Sequence, residues 1–140
     1  CSFNLELDNG EALFSANGSY PEIEFPELII QENLNQNTWH QLVELIDFEY
    51  FQTLDEVYGC PDCADGGAEY IEIIYNGVSK EVIFDANSEV NGIEDLTLFL
   101  RDLREDFWLF IISDTNFICS NAMHIISTLN ITKFSYQERI

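Results

Sequence analysis

The stretch AEYIEIIYNGVSKEVIF, Ala68 to Phe84, leaves the chain little choice of local structure. Tyr70, Glu72 and Ile74 alternate with Ile71, Ile73 and Tyr75, the two-residue period of a strand with one buried face. Asn76-Gly77 tolerates the positive dihedrals of a two-residue turn, and Val82 and Phe84 carry the apolar period back, so the segment reads as a β-hairpin. The opening repeats this logic. Phe3, Leu5 and Leu7 oppose Asn4, Glu6 and Asp8, Asn9-Gly10 turns the chain, and EALFSA returns toward Asn17-Gly18. From Tyr20 to Glu27, Ile23 and Phe25 oppose Glu22 and Glu24, while Pro21 and Pro26 remove ladder donors; this predicts an edge strand that continues through LIIQ.

Helical spacing enters at Thr38. Thr38 and Gln41 stand in capping-box spacing, and Trp39, Leu42, Val43 and Ile46 share a face. FEYFQTLDEVYG predicts a further short helical turn or an irregular run over the core. Ile93, Leu96, Phe99, Leu100, Leu103 and Phe107 then recur at helical intervals, which places Arg101, Asp102, Arg104 and Glu105 outside. Beyond Trp108, WLFIIS fits a strand or a helix end, SNAMHIISTL fits either period, and ITKFSYQERI reads as a terminal strand. Strands in runs, interrupted by isolated helices, predict an α+β fold, an antiparallel sheet of hairpins with two or three helices packed on one face. A parallel pairing after the last helix is the variant of this fold that the sequence also permits. Residues 1–140 are the size of a single globular domain that buries roughly two thirds of its unfolded surface.

The charge is lopsided, with 26 carboxylates against 5 Lys and Arg, a net charge of -21. No Lys or Arg occurs from Cys1 to Ser79, a segment with 16 carboxylates. Its field repels phosphates and anionic headgroups, which argues against nucleic acid and against direct binding to an anionic membrane. Acidic side chains of this kind usually form a solvated exterior; divalent cations or a basic partner are the alternatives. The longest apolar candidate for a spanning helix, Phe107 to Ile112, falls far short of the roughly 18 residues required.

Cys60-Pro61-Asp62-Cys63 is the most specific local motif. A catalytic dithiol of this spacing needs a helix directly behind it, and here Ala64-Asp65-Gly66-Gly67 and a strand follow. Zinc would need a second close pair, whereas Cys119, His40 and His124 are scattered. Calcium could use Asp62 and Asp65, with Glu69 as a further oxygen donor, although the spacing is not that of an EF-hand. The favoured expectation is a disulfide between Cys60 and Cys63 that stiffens the turn, with Gly66-Gly67 supplying dihedrals that side chains forbid. Pairs such as Glu22 and Glu24, or Glu69 and Glu72, carry no sign of a glycosidase site beyond being carboxylates.

The first residue, Cys1, resembles the start of a mature bacterial lipoprotein, whose signal peptide is cut just before a cysteine that receives lipid. If Cys1 is instead unmodified, it could pair with Cys119. WHQLVELID, GCPDCADGGAEYIEI and LTLFLRDLREDF together resemble a group of small uncharacterised bacterial lipoproteins, of the kind found in Bacteroidota. The resemblance spans about Thr38 to Phe107, and the GCPDCADGG loop is its specific part. It implies export and a lipid on Cys1, and it transfers no catalytic residue. The expectation is therefore a non-enzymatic lipoprotein of the cell envelope, at the outer membrane, with no cofactor, held to the membrane only through Cys1 and acting as an accessory or binding subunit for other envelope proteins. A calcium module at Asp62 and Asp65, or a thiol oxidoreductase at Cys60 and Cys63, are the rival expectations.

Overall fold

Alternation and turn chemistry produce the two hairpins that the sequence dictates. In the computed structural model, which describes residues 2–17, 19–20, 23–24, 27–114 and 124–131, β1 (Ser2–Asp8) and β2 (Glu11–Asn17) pair antiparallel, Leu5 opposite Phe14. β3 (Ser19–Tyr20) and β4 (Ile23–Glu24) form a two-stranded ribbon of their own. β5 (Leu28–Asn33) pairs antiparallel with β2 and is the outermost strand, so LIIQ lies at an edge, but the single strand expected from Tyr20 through LIIQ is divided between the β3–β4 ribbon and β5. β6 (Val57–Tyr58) is a short opposite edge, and β7 (Ala68–Tyr75) and β8 (Val78–Asp85) form the second hairpin with Tyr75 opposite Val78. Asn76 and Gly77 both hold positive φ, at 50° and 78°, as a type I′ turn requires.

The class is α+β, with three helices and a mixed sheet of seven strands among the described residues, in the order β5-β2-β1-β9-β7-β8-β6. The hairpins are antiparallel; parallel pairings enter through β9 (His124–Ile131), which lies between β1 and β7 and runs parallel to both, and through the short β6, which runs parallel to β8. This strand comes from the SNAMHIISTL region of ambiguous period. Sitting between two strands, it buries the polar Ser127 beside Leu129 on the helix side, while Thr128 and Asn130 opposite are only half-buried, so the apolar alternation is blurred. Apart from Ile131, the terminal strand expected over ITKFSYQERI lies outside the described residues.

α1 (Gln36–Glu44) begins ahead of the expected Thr38, because Asn35 is its cap: the Asn35 Oδ1 accepts from the Thr38 amide at 2.8 Å and from the Thr38 hydroxyl at 3.0 Å. α2 (Phe48–Thr53) is the short turn anticipated in FEYFQT, capped by Asp47 through the Tyr50 amide. α3 (Glu94–Asp114) runs through WLFIIS, which settles that segment as the end of the helix. Leu42, Val43, Ile46, Phe48, Phe51, Leu96, Leu100 and Phe107 bury against one face of the sheet, where they meet Leu5, Leu7, Phe14, Ile71, Ile73, Val82, Phe84 and Leu129. Phe14 and Phe107 stack with ring centroids 5.5 Å apart, and Phe3 lies against Trp108. No helix among the described residues is long and apolar enough to cross a membrane.

Candidate functional site

Two built features converge where β7 begins: the cysteine loop before Ala68 and a buried ion cluster at Glu69. The loop is tied to its own hairpin. The Cys60 amide donates to both oxygens of the Asp85 carboxylate, each at 3.2 Å, and Gly67 O accepts from the Asp62 and Ala86 amides, each at 3.3 Å. Gly59 has φ +74° and lies against that carboxylate, so a methyl group in place of its hydrogen would overlap Asp85. Inside the loop, the Cys63 amide donates to Cys60 O at 3.0 Å, a short 3-10 turn covers Cys63–Asp65, and the sulfurs of Cys60 and Cys63 lie at bonding distance with Cα atoms 5.4 Å apart.

Of the two glycines expected to supply backbone freedom in this loop, Gly67 does so, at φ 79°, and Gly66 does not. Gly66 is right-handed at φ -74°, and the positive values fall on Gly59, Asp62, Ala64 and Gly67. Asp62 at φ 62° and Ala64 at φ 55° therefore occupy a region that L residues enter at a cost of about 1–2 kcal/mol. Such a conformation persists only where its surroundings hold it, and here those are the Asp85 clamp, the Gly67 carbonyl and the sulfur pair.

Chemically, the loop is a poor dithiol catalyst. Cys60 and Cys63 are both exposed, but the charge beside Cys60 is the Asp85 carboxylate, the reverse of the electropositive surroundings that stabilise a nucleophilic thiolate. The turn behind Cys63 ends within three residues and is followed by β7 rather than by a helix. Asp62 is exposed, the Asp65 side chain lies outside the described residues, and Glu69 is engaged elsewhere. Among the described residues no group of three His, Cys, Asp or Glu could hold a metal ion. His40 is exposed on α1; Cys1, Cys119 and the side chain of His124 lie outside the described residues.

Replacing Cys60 and Cys63 by serine together should lower stability by no more than about 2 kcal/mol, because the closed ring is so short. Urea unfolding of the oxidised protein and of the double variant measures this. A larger loss would mean that the bridge supports more than its own loop.

The ion cluster was not anticipated. Arg101 and Arg104, expected on the outer face of the helix, turn inward to Glu69, whose side chain is only 3% exposed. Glu69 Oε1 accepts from Arg101 Nη2 at 2.7 Å, from Arg101 Nε at 3.0 Å and from the Asn87 amide at 2.8 Å; Oε2 accepts from Arg104 Nη2 at 3.1 Å. Arg101 Nη2 also reaches Ser88 O at 2.7 Å, so this cluster fastens α3 both to β7 and to the connection after β8. Burial pushes the Glu69 carboxyl up, yet the Arg101 hydrogen bond, the Asn87 amide and the charges of Arg104 and Arg101 together hold it below its ordinary value of 4.5. Burial also draws Arg104 below its usual value, against the opposing pull of Glu69.

A carboxylate with its oxygens so fully occupied cannot serve as a base or a metal ligand without giving up the cluster. Glu72 lies on the opposite face of β7 and accepts from the Ser79 hydroxyl, so the two carboxylates do not face one another. The signals for the cluster were present but faint. Glu69 shares parity with the inward Ile71 and Ile73, and Arg104 lies one turn from Leu100 on the packed side of α3.

No protein-family model matches the chain, and neither the curated proteins nor the solved structures hold a significant match to it.

Proposed function

We propose that this chain is a non-enzymatic binding or accessory subunit of the bacterial cell envelope, tethered at the outer membrane by a lipid on Cys1. The observation that carries this reading is the disposition of charge. Of the five basic residues, Arg101 and Arg104 are drawn inward to a single glutamate, which leaves Lys80, Lys133 and Arg139 to offset 25 remaining carboxylates, the 26 less Glu69. Such a surface attracts basic partners over long range and repels nucleic acid and anionic lipid.

Two further points support export. Cys60 and Cys63 sit paired in an exposed loop, which suits a compartment that keeps sulfurs oxidised. The resemblance of the GCPDCADGG loop to small bacterial lipoproteins points the same way. A lipid would give about 0.8 kcal/mol per buried methylene, so more than one acyl chain holds a strongly acidic body at a membrane without any protein contact to the headgroups.

Intact-mass measurement of the protein purified from native membranes tests the reading. The expected result is an acylated Cys1 together with a Cys60–Cys63 bridge. A free Cys1 thiol on protein recovered from the cytosol overturns it.

A further inference from the structure

We infer that the outward stripe of α3, Leu98 and Leu109 set among Asp95, Asp102, Glu105 and Asp106, is a docking surface for a basic helix of a partner protein, an inference that rests on the binding reading above. α3 has 21 residues, and its packed side is accounted for by Leu96, Leu100, Arg104 and Phe107. On the other side, Leu98 is 52% exposed and Leu109 51% exposed. Eleven residues separate them, three helical turns, so they lie on one line about 16 Å apart. A single exposed leucine needs no explanation; two in register at the centre of the most exposed stripe of the longest helix form an anchor pattern.

The charges around these leucines select the occupant. A helix face exposed only to water commonly mixes acids with bases at intervals of three and four. Here both cations of the helix face inward to Glu69, and the outward stripe keeps four exposed carboxylates with no cation among its described residues. Asp102 repels Glu105 and Asp106 at those same intervals, each pair costing about 0.2–0.5 kcal/mol in the free helix. A lysine-rich or arginine-rich segment removes this repulsion as it covers the leucines. Anionic lipid and nucleic acid are repelled by the same charges, and a second copy of a chain with net charge -21 is repelled as well. A cationic amphipathic protein helix satisfies both the apolar and the electrostatic halves of the pattern.

The test uses the full chain and a fluorescent synthetic helix of alternating lysine and leucine faces, titrated by anisotropy at low and at raised salt. Leu98→Ser with Leu109→Ser leaves the net charge unchanged and replaces no buried residue. The inference expects this pair to weaken binding roughly tenfold or more, with thermal unfolding unmoved, whereas Val57→Ser with Val78→Ser, also exposed, leaves affinity unchanged. Likewise, Asp102→Asn with Glu105→Gln should weaken binding more than Glu11→Gln with Glu32→Gln, which removes the same charge elsewhere on the exposed surface. If the two leucines are silent, or both carboxylate pairs act alike, the helix adsorbs through diffuse charge and the docking surface is overturned while the binding reading stands. If the peptide fails to bind even at low salt, both fall together. The tether at Cys1 stands or falls separately, by its mass.

Discussion

Glu69→Ala lowers the free energy of unfolding by about 3–5 kcal/mol, the largest loss expected from any single change in this ion cluster. The cost comes less from the attraction that is removed than from what is left behind. Arg104 is 8% exposed and has Glu69 as its ion partner, while Arg101 would keep Ser88 O and a partial route to water. Glu69→Gln preserves shape and part of the hydrogen bonding, so it should fall between the parent and the alanine variant. Removing Arg104 as well should restore part of the loss, and a double-mutant cycle by urea unfolding reads that coupling directly. Additive losses would show that Glu69 and Arg104 do not act as a unit.

The same residue predicts a pH signature with a definite sign. Because the folded state holds Glu69 below its ordinary value, it binds a proton there less readily than the unfolded chain does. Its stabilisation is therefore complete above about pH 4.5 and is lost as the pH falls through the lowered folded value. Acidification also relieves repulsion among the surface carboxylates, so the parent curve alone mixes two effects. The difference between the parent and Glu69→Gln isolates this one: it should be large near neutrality and shrink in acid. A difference that stays constant with pH would count against the ion cluster as its source.

A chain ended at Asp114 shows no cooperative unfolding transition, and Leu129→Ala in the full chain costs about 2–5 kcal/mol. Both follow from the position of β9. It pairs with β1 from Ser2↔His124 to Asp8↔Asn130 and with β7 from Ala68↔His124 to Tyr75↔Ile131, so its removal separates the β5-β2-β1 half of the sheet from the β7-β8-β6 half. Leu129 is fully buried between Leu7 and Ile73 in register and faces the helices. Calorimetry and urea titration measure both changes. A truncated chain that melts within a few degrees of the parent would mean that the two halves pack through their helices alone.

The sequence made local matters legible and left the long-range ones hidden. Asn9-Gly10 and Asn76-Gly77 declare their hairpins because turn chemistry and alternation are encoded in adjacent residues. The start of α1 was displaced to Asn35 because Thr38 also satisfies a capping pattern, and only the geometry decides which side chain accepts. Gly66 was credited with a dihedral that Asp62 and Ala64 adopt, since the Asp85 clamp that forces the bend lies more than twenty residues away in sequence. Arg101 and Arg104 were placed outward because helical spacing sorts residues by polarity, and a buried ion cluster violates that sorting. The partner of both, Glu69, sits 32 and 35 residues away, beyond the reach of any periodicity. β9 was ambiguous for the same reason, its pairing with β1 spanning most of the chain.

The central place of β9 also fixes an order of events. Delivered from its first residue onward, whether by a ribosome or through a secretion channel, the chain presents both hairpins and α3 before the strand that joins them. Each half-sheet then waits with a bare parallel edge, a state prone to stray pairing and slow to close because its contacts are distant in sequence. β9 is a keystone: until it seats, the newborn polypeptide stays threadable and exposed to chaperones, and once it seats, both halves lock in a single step.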